Sequence, residues 1–270
     1  GRIVGWQVEV DGDLRIYRSE LLLKLPWLAQ GFSTRTGGCS TGPYTTLNLG
    51  PATGDLPSRV VANRERFFSF FGLTPEKVRG VKQVHGREIF VVREKGPART
   101  GAGLPAADGL VTALPGVAVA TVHADCVPVI IVDPVHRVVA AVHAGWRGTL
   151  AGIVFSALKV MGVEYKTDPG ECWAAIGPAI GKCCYRVPQE RINLFYNQWP
   201  DLSGLTPPVD RLDLAGISRD LLRKAGLAGD NIDLAGICTS CRQEEFFSSR
   251  RDRGETGRML SLAVLKERQE

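Results

Sequence analysis

The chain has 270 residues, 44% hydrophobic and 23% charged, a globular composition with enough length to bury a sizeable core. No apolar run approaches the roughly 18–20 residues that span a bilayer and no signal peptide is visible, which speaks against a helical membrane protein. The net charge of +5 suits anionic ligands such as phosphate but is too diffuse to indicate nucleic acid, and seven cysteines, two of them adjacent, argue against a disulfide framework and for a reducing cytoplasm.

Val8-Glu9-Val10 and Leu14-Arg15-Ile16-Tyr17 read as a hairpin about Asp11-Gly12-Asp13. Residues 31–50 are rich in Gly, Thr and Ser and end in Leu47-Asn48-Leu49-Gly50, a loop of the kind that lines a site. Asp55 to Phe71 has helical periodicity, with Gly72 just past its end. Val78 to Val92 reads as strands around Gln83-Val84-His85-Gly86, followed by a loop over 96–106 and a strand over Val117 to Val122. Further on, a helix is expected over Gly148 to Met161, strand and turn over Ala174 to Pro178, and helices over Gln189 to Asn197 and Leu212 to Lys224. Leu234 to Cys238 reads as a short strand and the last eight or so residues as a helix. Strands and helices alternate without the rhythm of a doubly wound sheet. The expected fold is a mixed α/β one, partly antiparallel sheets layered with helices, forming a single domain over 1–270.

Two apolar runs, Val127 to Val132 and Arg137 to Val142, flank Asp133-Pro134-Val135-His136. Asp followed by Pro opens a type I turn, which predicts an antiparallel hairpin. A turn centred on Pro134-Val135 pairs Asp133 with His136 and, at the open end, Cys126 with His143. Their Cβ atoms would then lie about 4.5–5.5 Å apart on one face.

A thiolate and an imidazole so placed serve either a metal site or a Cys/His catalytic pair. Two His and one Cys suit zinc and leave its fourth position open. His136 lies in the turn and His123 has the wrong strand parity relative to Cys126, so His85 is left as third ligand. Copper also takes His₂Cys, but with a nearby axial methionine. Met161 and Met259 have no evident place beside Cys126, so Zn²⁺ is favoured; Cu²⁺, and with it a copper-dependent phenol oxidase, is the alternative. A metal-independent cysteine hydrolase would use Cys126 as nucleophile and His143 as base. A non-enzymatic zinc-binding module would use the same residues without chemistry.

Gly145-Trp146-Arg147-Gly148 opens the predicted helix, where backbone N–H groups and Arg147 offer a phosphate dock. Gly177 to Cys183 resembles a P-loop but lacks one spacer residue and the Ser/Thr. Cys238-Thr239-Ser240-Cys241 is a lone C-x-x-C; a structural zinc needs a second pair, and the adjacent Cys183-Cys184 are expected to chelate poorly. The basic segment Ser248 to Arg258 reads as a solvated or interface loop, or as a grip on phosphate.

Together these residues resemble the laccase-domain (YfiH-like) family, once labelled multicopper polyphenol oxidases and now regarded as zinc-dependent purine nucleoside phosphorylases. The resemblance rests on Gly31-Phe32-Ser33-Thr34-Arg35, Leu47-Asn48-Leu49-Gly50, Lys82-Gln83-Val84-His85-Gly86 and Ala107-Asp108-Gly109. It continues through Ala124-Asp125-Cys126, His143-Ala144-Gly145-Trp146-Arg147-Gly148, Gly177-Pro178-Ala179-Ile180 and Phe247-Ser248 with Arg250-Arg251, where Ser249 replaces a commoner aromatic or His. It implies metal ligation by His85, Cys126 and His143. It also implies phosphorolysis of adenosine, inosine, guanosine and 5′-methylthioadenosine to free base and sugar 1-phosphate, and deamination of adenosine. The partners expected are purine nucleosides and inorganic phosphate. Against that chemistry, Asp125 is the nearest carboxylate in sequence for proton transfer, and Arg147, Arg35 and Asn48 are candidates to bind phosphate or ribose.

Overall fold

The computed structural model describes residues 4–96, 101–202 and 210–267. In chain order the strands are β1 Trp6–Asp11, β2 Leu14–Ser19, β3 Leu28–Ser33, β4 Val78–Arg79, β5 Ile89–Val91 and β6 Gly109–Thr112. They continue as β7 Ala118–His123, β8 Val127–Asp133, β9 Val138–Ala144, β10 Trp173–Ile176, β11 Ile232–Leu234 and β12 Met259–Leu265. The helices are α1 Glu20–Leu23, α2 Pro57–Ser69, α3 Trp146–Leu150, α4 Ile153–Tyr165, α5 Gln189–Gln198 and α6 Leu214–Lys224.

These strands form two six-stranded sheets, β1-β2-β3-β12-β7-β4 and β11-β10-β8-β9-β6-β5. Most neighbours are antiparallel; β4–β7, β5–β6 and β10–β11 are parallel. The expected mixed, partly antiparallel α/β fold is therefore present. Three apolar clusters show the layering. Leu14, Ile16, Phe67, Phe68 and Leu262 pack α2 on the outer face of the first sheet. Phe32, Val119, Ile130, Val139 and Ala141 fill the space between the sheets. Val129, Ile131, Val142, Leu158, Ile217 and Leu221 join the second sheet to α4 and α6. β8 and β9 lie in the middle of this stack with every residue buried. Their unbroken apolar runs follow, because a strand covered on both faces has no solvent side to alternate with.

Several local expectations fail for identifiable reasons. The hairpin turn is longer than predicted: Asp133 pairs with Val138 and Pro128 with His143. The Asp133 carboxylate accepts the N–H groups of Val135 and His136, and Arg137 takes a φ of 52°. This moves the partner of His143 from Cys126 to Pro128, two residues on. Strand parity survives a shift of two, so Cys126 and His143 keep the same face but meet diagonally. The helix predicted over Gly148 to Met161 is two helices, because Gly152 at φ 77° interrupts α3 and α4. The tail expected to be helical is β12 up to Leu265; residues 268–270 lie outside the described residues. β12 is held centrally between β3 and β7, and that pairing overrides the helix-forming character of its Leu and Ala residues. Of the predicted 96–106 loop, 97–100 lie outside the described residues and Gly101–Gly103 forms one tight turn. Residues 31–33, expected in a loop, belong to β3.

Val78 to Val92 contributes only its two ends as strands, and these lie in different sheets. The intervening loop, which carries His85, crosses from the first sheet to the second. Residues 124–126 make the same crossing from β7 to β8.

Phe32 anchors the packing between the sheets: it is fully buried, and its ring meets Trp6 edge-on at 5.2 Å. Gly177 abuts it so closely that an added Cβ would lie 2.3 Å from the ring. Phe32→Ala is expected to lower unfolding free energy by about 3–5 kcal/mol, read as a lower midpoint in urea with little change in slope. A loss under 1 kcal/mol would show that the space between the sheets closes without it.

Candidate metal centre

Three chain segments meet at one end of the sheets. The Cys126 sulfur and ring nitrogens of His85 and His143 lie within 4.8 Å of one another. The two imidazoles stand nearly perpendicular, at 83°, with centroids 4.9 Å apart. His143 is buried, Cys126 half-buried and His85 exposed, so the group opens to solvent on the His85 side.

A single carboxylate sets this geometry. Asp108, just before β6, accepts the N–H groups of Val84 at 3.1 Å, His85 at 2.9 Å and Gly86 at 2.7 Å. It also lies 2.9 Å from Nδ1 of His143. Burial would raise the Asp108 carboxyl, but the bond with His143 and those from Gly86 and Val84 hold it below the usual range. An ionised carboxylate accepts a hydrogen bond from Nδ1–H and holds the proton there, which leaves the Nε2 lone pair for a cation. The Asp108 carbonyl also accepts the His143 N–H at 2.7 Å.

The loop under His85 is fixed from its other side. The Gln83 side chain donates to the Val122 carbonyl at 2.7 Å and accepts the Val122 N–H at 2.8 Å, tying it to β7. His85 sits at φ 59°, a left-handed conformation unusual for a non-glycine residue and enforced by these bonds. Gly145 completes the enclosure: a Cβ there would stand 3.0 Å from the His85 ring, 3.4 Å from the Cys126 sulfur and 3.7 Å from the His143 ring.

Charge in the group is strongly coupled. Burial opposes ionisation of Cys126, but the charge of His143 and hydrogen bonds from His143 and His85 outweigh it and bring the thiol down to about 6. His143 responds in the opposite direction: burial lowers it, while the Cys126 charge and the Asp108 bond raise it to about 9. A thiolate and two imidazoles, with one ring oriented by a carboxylate, match the donor set of a transition-metal site. These residues could hold a metal ion.

The other predicted site residues are placed differently. Asp125, at φ 91°, accepts from the Thr239 hydroxyl at 2.7 Å, the Ser248 hydroxyl at 3.0 Å and the Arg250 N–H at 2.7 Å. Both of its oxygens are engaged in holding the chain beside Cys126. Buried Asn48 donates to Thr53 and Asp55 and accepts the N–H groups of Gly50 and Arg258. Arg35 donates to the carbonyls of Thr45 and Gln243, and its guanidinium lies 4.6 Å from the Phe247 ring. Arg147 is exposed on the five-residue α3 and stacks on Trp146 at 4.5 Å; Arg191 approaches the same ring at 4.2 Å. His123 stays out of the ligand group: it is buried, and neither ring nitrogen has a hydrogen-bond partner among the described residues. Burial and the charge of His143 push it down to about 3. Met161 packs in the helix-side core, and the Met259 sulfur accepts the Phe247 N–H.

Residue reading missed the role of Asp108, although a carboxylate partner is the rule for a metal-binding imidazole. It also gave no particular role to Arg258, whose half-buried side chain is close enough to feel the charges of Cys126 and Asp125.

Among the described residues no helix is long and apolar enough to cross a membrane. The family model described as multi-copper polyphenol oxidoreductase laccase matches residues 29–266. Purine nucleoside phosphorylase YlmD of Geobacillus stearothermophilus is 38% identical over 246 residues, covering 88% of this chain and 90% of that protein. Purine nucleoside phosphorylase ORF3 of Streptomyces griseus is 41% identical over 238 residues, covering 87% and 93%. The crystal structure of YlmD from Geobacillus stearothermophilus superposes with a TM-score of 0.90 at 35% identity, covering 97% of this chain and 99% of that one. Matched over nearly its whole length in both sequence and fold, the chain belongs to the multi-copper polyphenol oxidoreductase laccase family.

Proposed function

We propose that the chain is a zinc-dependent purine nucleoside phosphorylase. It would cleave adenosine, inosine, guanosine and 5′-methylthioadenosine with inorganic phosphate to free base and sugar 1-phosphate, and deaminate adenosine as a second activity. The observation that carries this reading is the meeting of His85, Cys126 and His143 around one point, in a chain whose relatives bear the phosphorylase name. Zinc is favoured over copper because the set is three N/S donors and neither methionine joins it. When bound, the ion would supply a Lewis acid at the solvent-facing side of the group.

The chain's own residues divide the remaining work. Asp108 keeps the His143 proton on Nδ1. Arg258, whose Nη1 is held by the carbonyls of Thr256 and Gly257, lies close enough to Cys126 and Asp125 to feel their charges and would offer a positive charge for phosphate. Arg147 and Arg191 flank Trp146 and extend that charge along the approach. Arg35 and Asn48 serve this site as braces, because their polar groups are held by Thr45 and Gln243 and by Thr53 and Asp55. Asp125 is likewise assigned to positioning Cys126, its oxygens being held by Thr239, Ser248 and Arg250. A leaving purine needs a proton or a Lewis acid at its departing nitrogen, and the phosphate must reach the anomeric carbon from the opposite side.

One observation favours a second reading. The lowered Cys126 thiol beside His143 is what a metal-free cysteine nucleophile would use. Chromatography of adenosine reactions with and without phosphate separates the two. The phosphorylase yields adenine and a sugar phosphate only with phosphate, and chelator abolishes the yield. Activity undiminished by chelator, with covalent capture of Cys126 by an acylating probe, would establish the thiol enzyme instead.

Two further outcomes follow from the site. Asp108→Asn removes the carboxylate that fixes the His143 tautomer, so metal affinity should fall about 10–100-fold by competition with a chromophoric chelator. Unchanged affinity would remove Asp108 from the account. The second concerns protons. Without an ion, Cys126 titrates at about 6 and His143 at about 9, so between these values the pair is thiolate and imidazolium. Ligation needs thiolate and neutral imidazole, so binding releases about one proton from this pair in this window and about two from it below the window. Affinity should therefore rise with pH through the window and level off above it. Calorimetry in buffers of different ionisation enthalpy reads this directly, and zero proton release at neutral pH would contradict it.

A further inference from the structure

We propose that Cys183, Cys184, Cys238 and Cys241 form a second metal centre, a structural zinc site of four thiolates separate from the His85–Cys126–His143 group. Their sulfurs lie within 4.8 Å of one another. Cys241 is 3.5 Å from Cys183 and 3.4 Å from Cys184, sulfur to sulfur. A tetrahedron with Zn–S bonds of about 2.3 Å has edges of about 3.8 Å, so a central ion needs only small adjustments here. All four cysteines are free.

Adjacent cysteines look unsuited to one ion as long as the chain is imagined extended. Here the segment turns at Gly181, whose carbonyl accepts the N–H groups of Cys184 at 2.9 Å and Tyr185 at 3.0 Å. That turn brings both side chains against Cys241. On the other segment, Cys238 and Cys241 form a C-x-x-C turn closed by the Arg242 N–H on the Cys238 carbonyl at 3.2 Å. The Gly181 N–H donates to the Cys238 sulfur at 3.2 Å, a bond that favours a metal-bound thiolate. A side chain at Gly181 would stand 3.2 Å from both the Cys183 sulfur and the Cys238 Cβ. Four sulfur donors with no other ligand suit a closed structural zinc site.

The position suggests what such an ion would hold together. The Ile180 N–H bonds the Asp125 carbonyl at 2.9 Å, and the Thr239 hydroxyl bonds the Asp125 carboxylate. Ala179 and Thr239 bridge the two segments by backbone bonds. Both cysteine-bearing segments thus grip the residue preceding Cys126. A zinc ion between them would lock that grip and fix Cys126 indirectly.

The test counts metal with the first centre disabled. His85→Ala and His85→Ala/Cys241→Ser full-length chains are purified under reducing conditions and analysed for metal. About one zinc per chain is expected in the first and none in the second. Chelator-treated His85→Ala should take up cobalt with the sulfur-to-metal charge-transfer absorption of a tetrahedral tetrathiolate. Zinc should also shield these four thiols, and not exposed Cys39, from a thiol reagent until chelator is added. If the Cys241→Ser chain fails to fold, the cobalt spectrum and the thiol count decide the matter on intact cysteines. A His85→Ala chain with no zinc and no cobalt–thiolate absorption overturns the proposal, as do disulfides among these cysteines in protein purified anaerobically. Because His85 is absent throughout, loss of the first centre and loss of the second are read separately.

Discussion

The carboxylate of Asp108 is the constraint on which the centre rests. It gathers three consecutive backbone N–H groups of the His85 loop and the Nδ1 of His143 onto one ionised group. The cost of burying that charge is offset because each of these contacts is a hydrogen bond to an anion. One side chain therefore fixes both imidazoles: His85 through its backbone and His143 through its ring. Removing it would leave the left-handed turn at His85 without its main support.

The sheet arrangement makes that meeting possible. Two crossings between sheets, 80–88 and 124–126, emerge at the end where β9 delivers His143. Each of the three side chains comes from a different kind of position: a loop, a strand approach and a strand. Their coupling is electrostatic as well as geometric, since the Cys126 thiolate and the His143 imidazolium each stabilise the other in a buried setting. A cation can replace the His143 proton without rearranging its partners, which is why the same residues fit both a metal centre and a thiol–imidazole pair.

Around this centre, polar residues that look catalytic in sequence turn out to be fastened. Asp125 joins β8 to the Thr239 and Ser248–Arg250 segments, and Asn48 joins the 48–50 turn to Arg258. Arg251 donates to the carbonyls of Thr239, Ser240 and Phe246, tying the basic loop to the C-x-x-C turn. A buried polar group must find partners, and residues selected for that purpose resemble active-site residues in type.

The sequence by itself determined the mixed α/β class, the hairpin of β8 and β9, and the placing of Cys126 and His143 on one face, though not their register, which the longer turn shifts by two. Each follows from short-range pattern: runs of apolar residues, a turn dipeptide and a period of two that survives a shift of two. It also narrowed the third member of the candidate metal-binding group to His85, by elimination among four histidines and by family resemblance. Only the tertiary structure decided that Asp108 bonds the His143 ring, that the polar atoms of Asp125 and Asn48 are held by hydrogen bonds, that residues 259–265 are a central strand, and that two distant cysteine pairs converge. Those outcomes depend on which segments become neighbours across two sheets. No local periodicity carries that information, because the partners lie tens to more than a hundred residues apart along the chain.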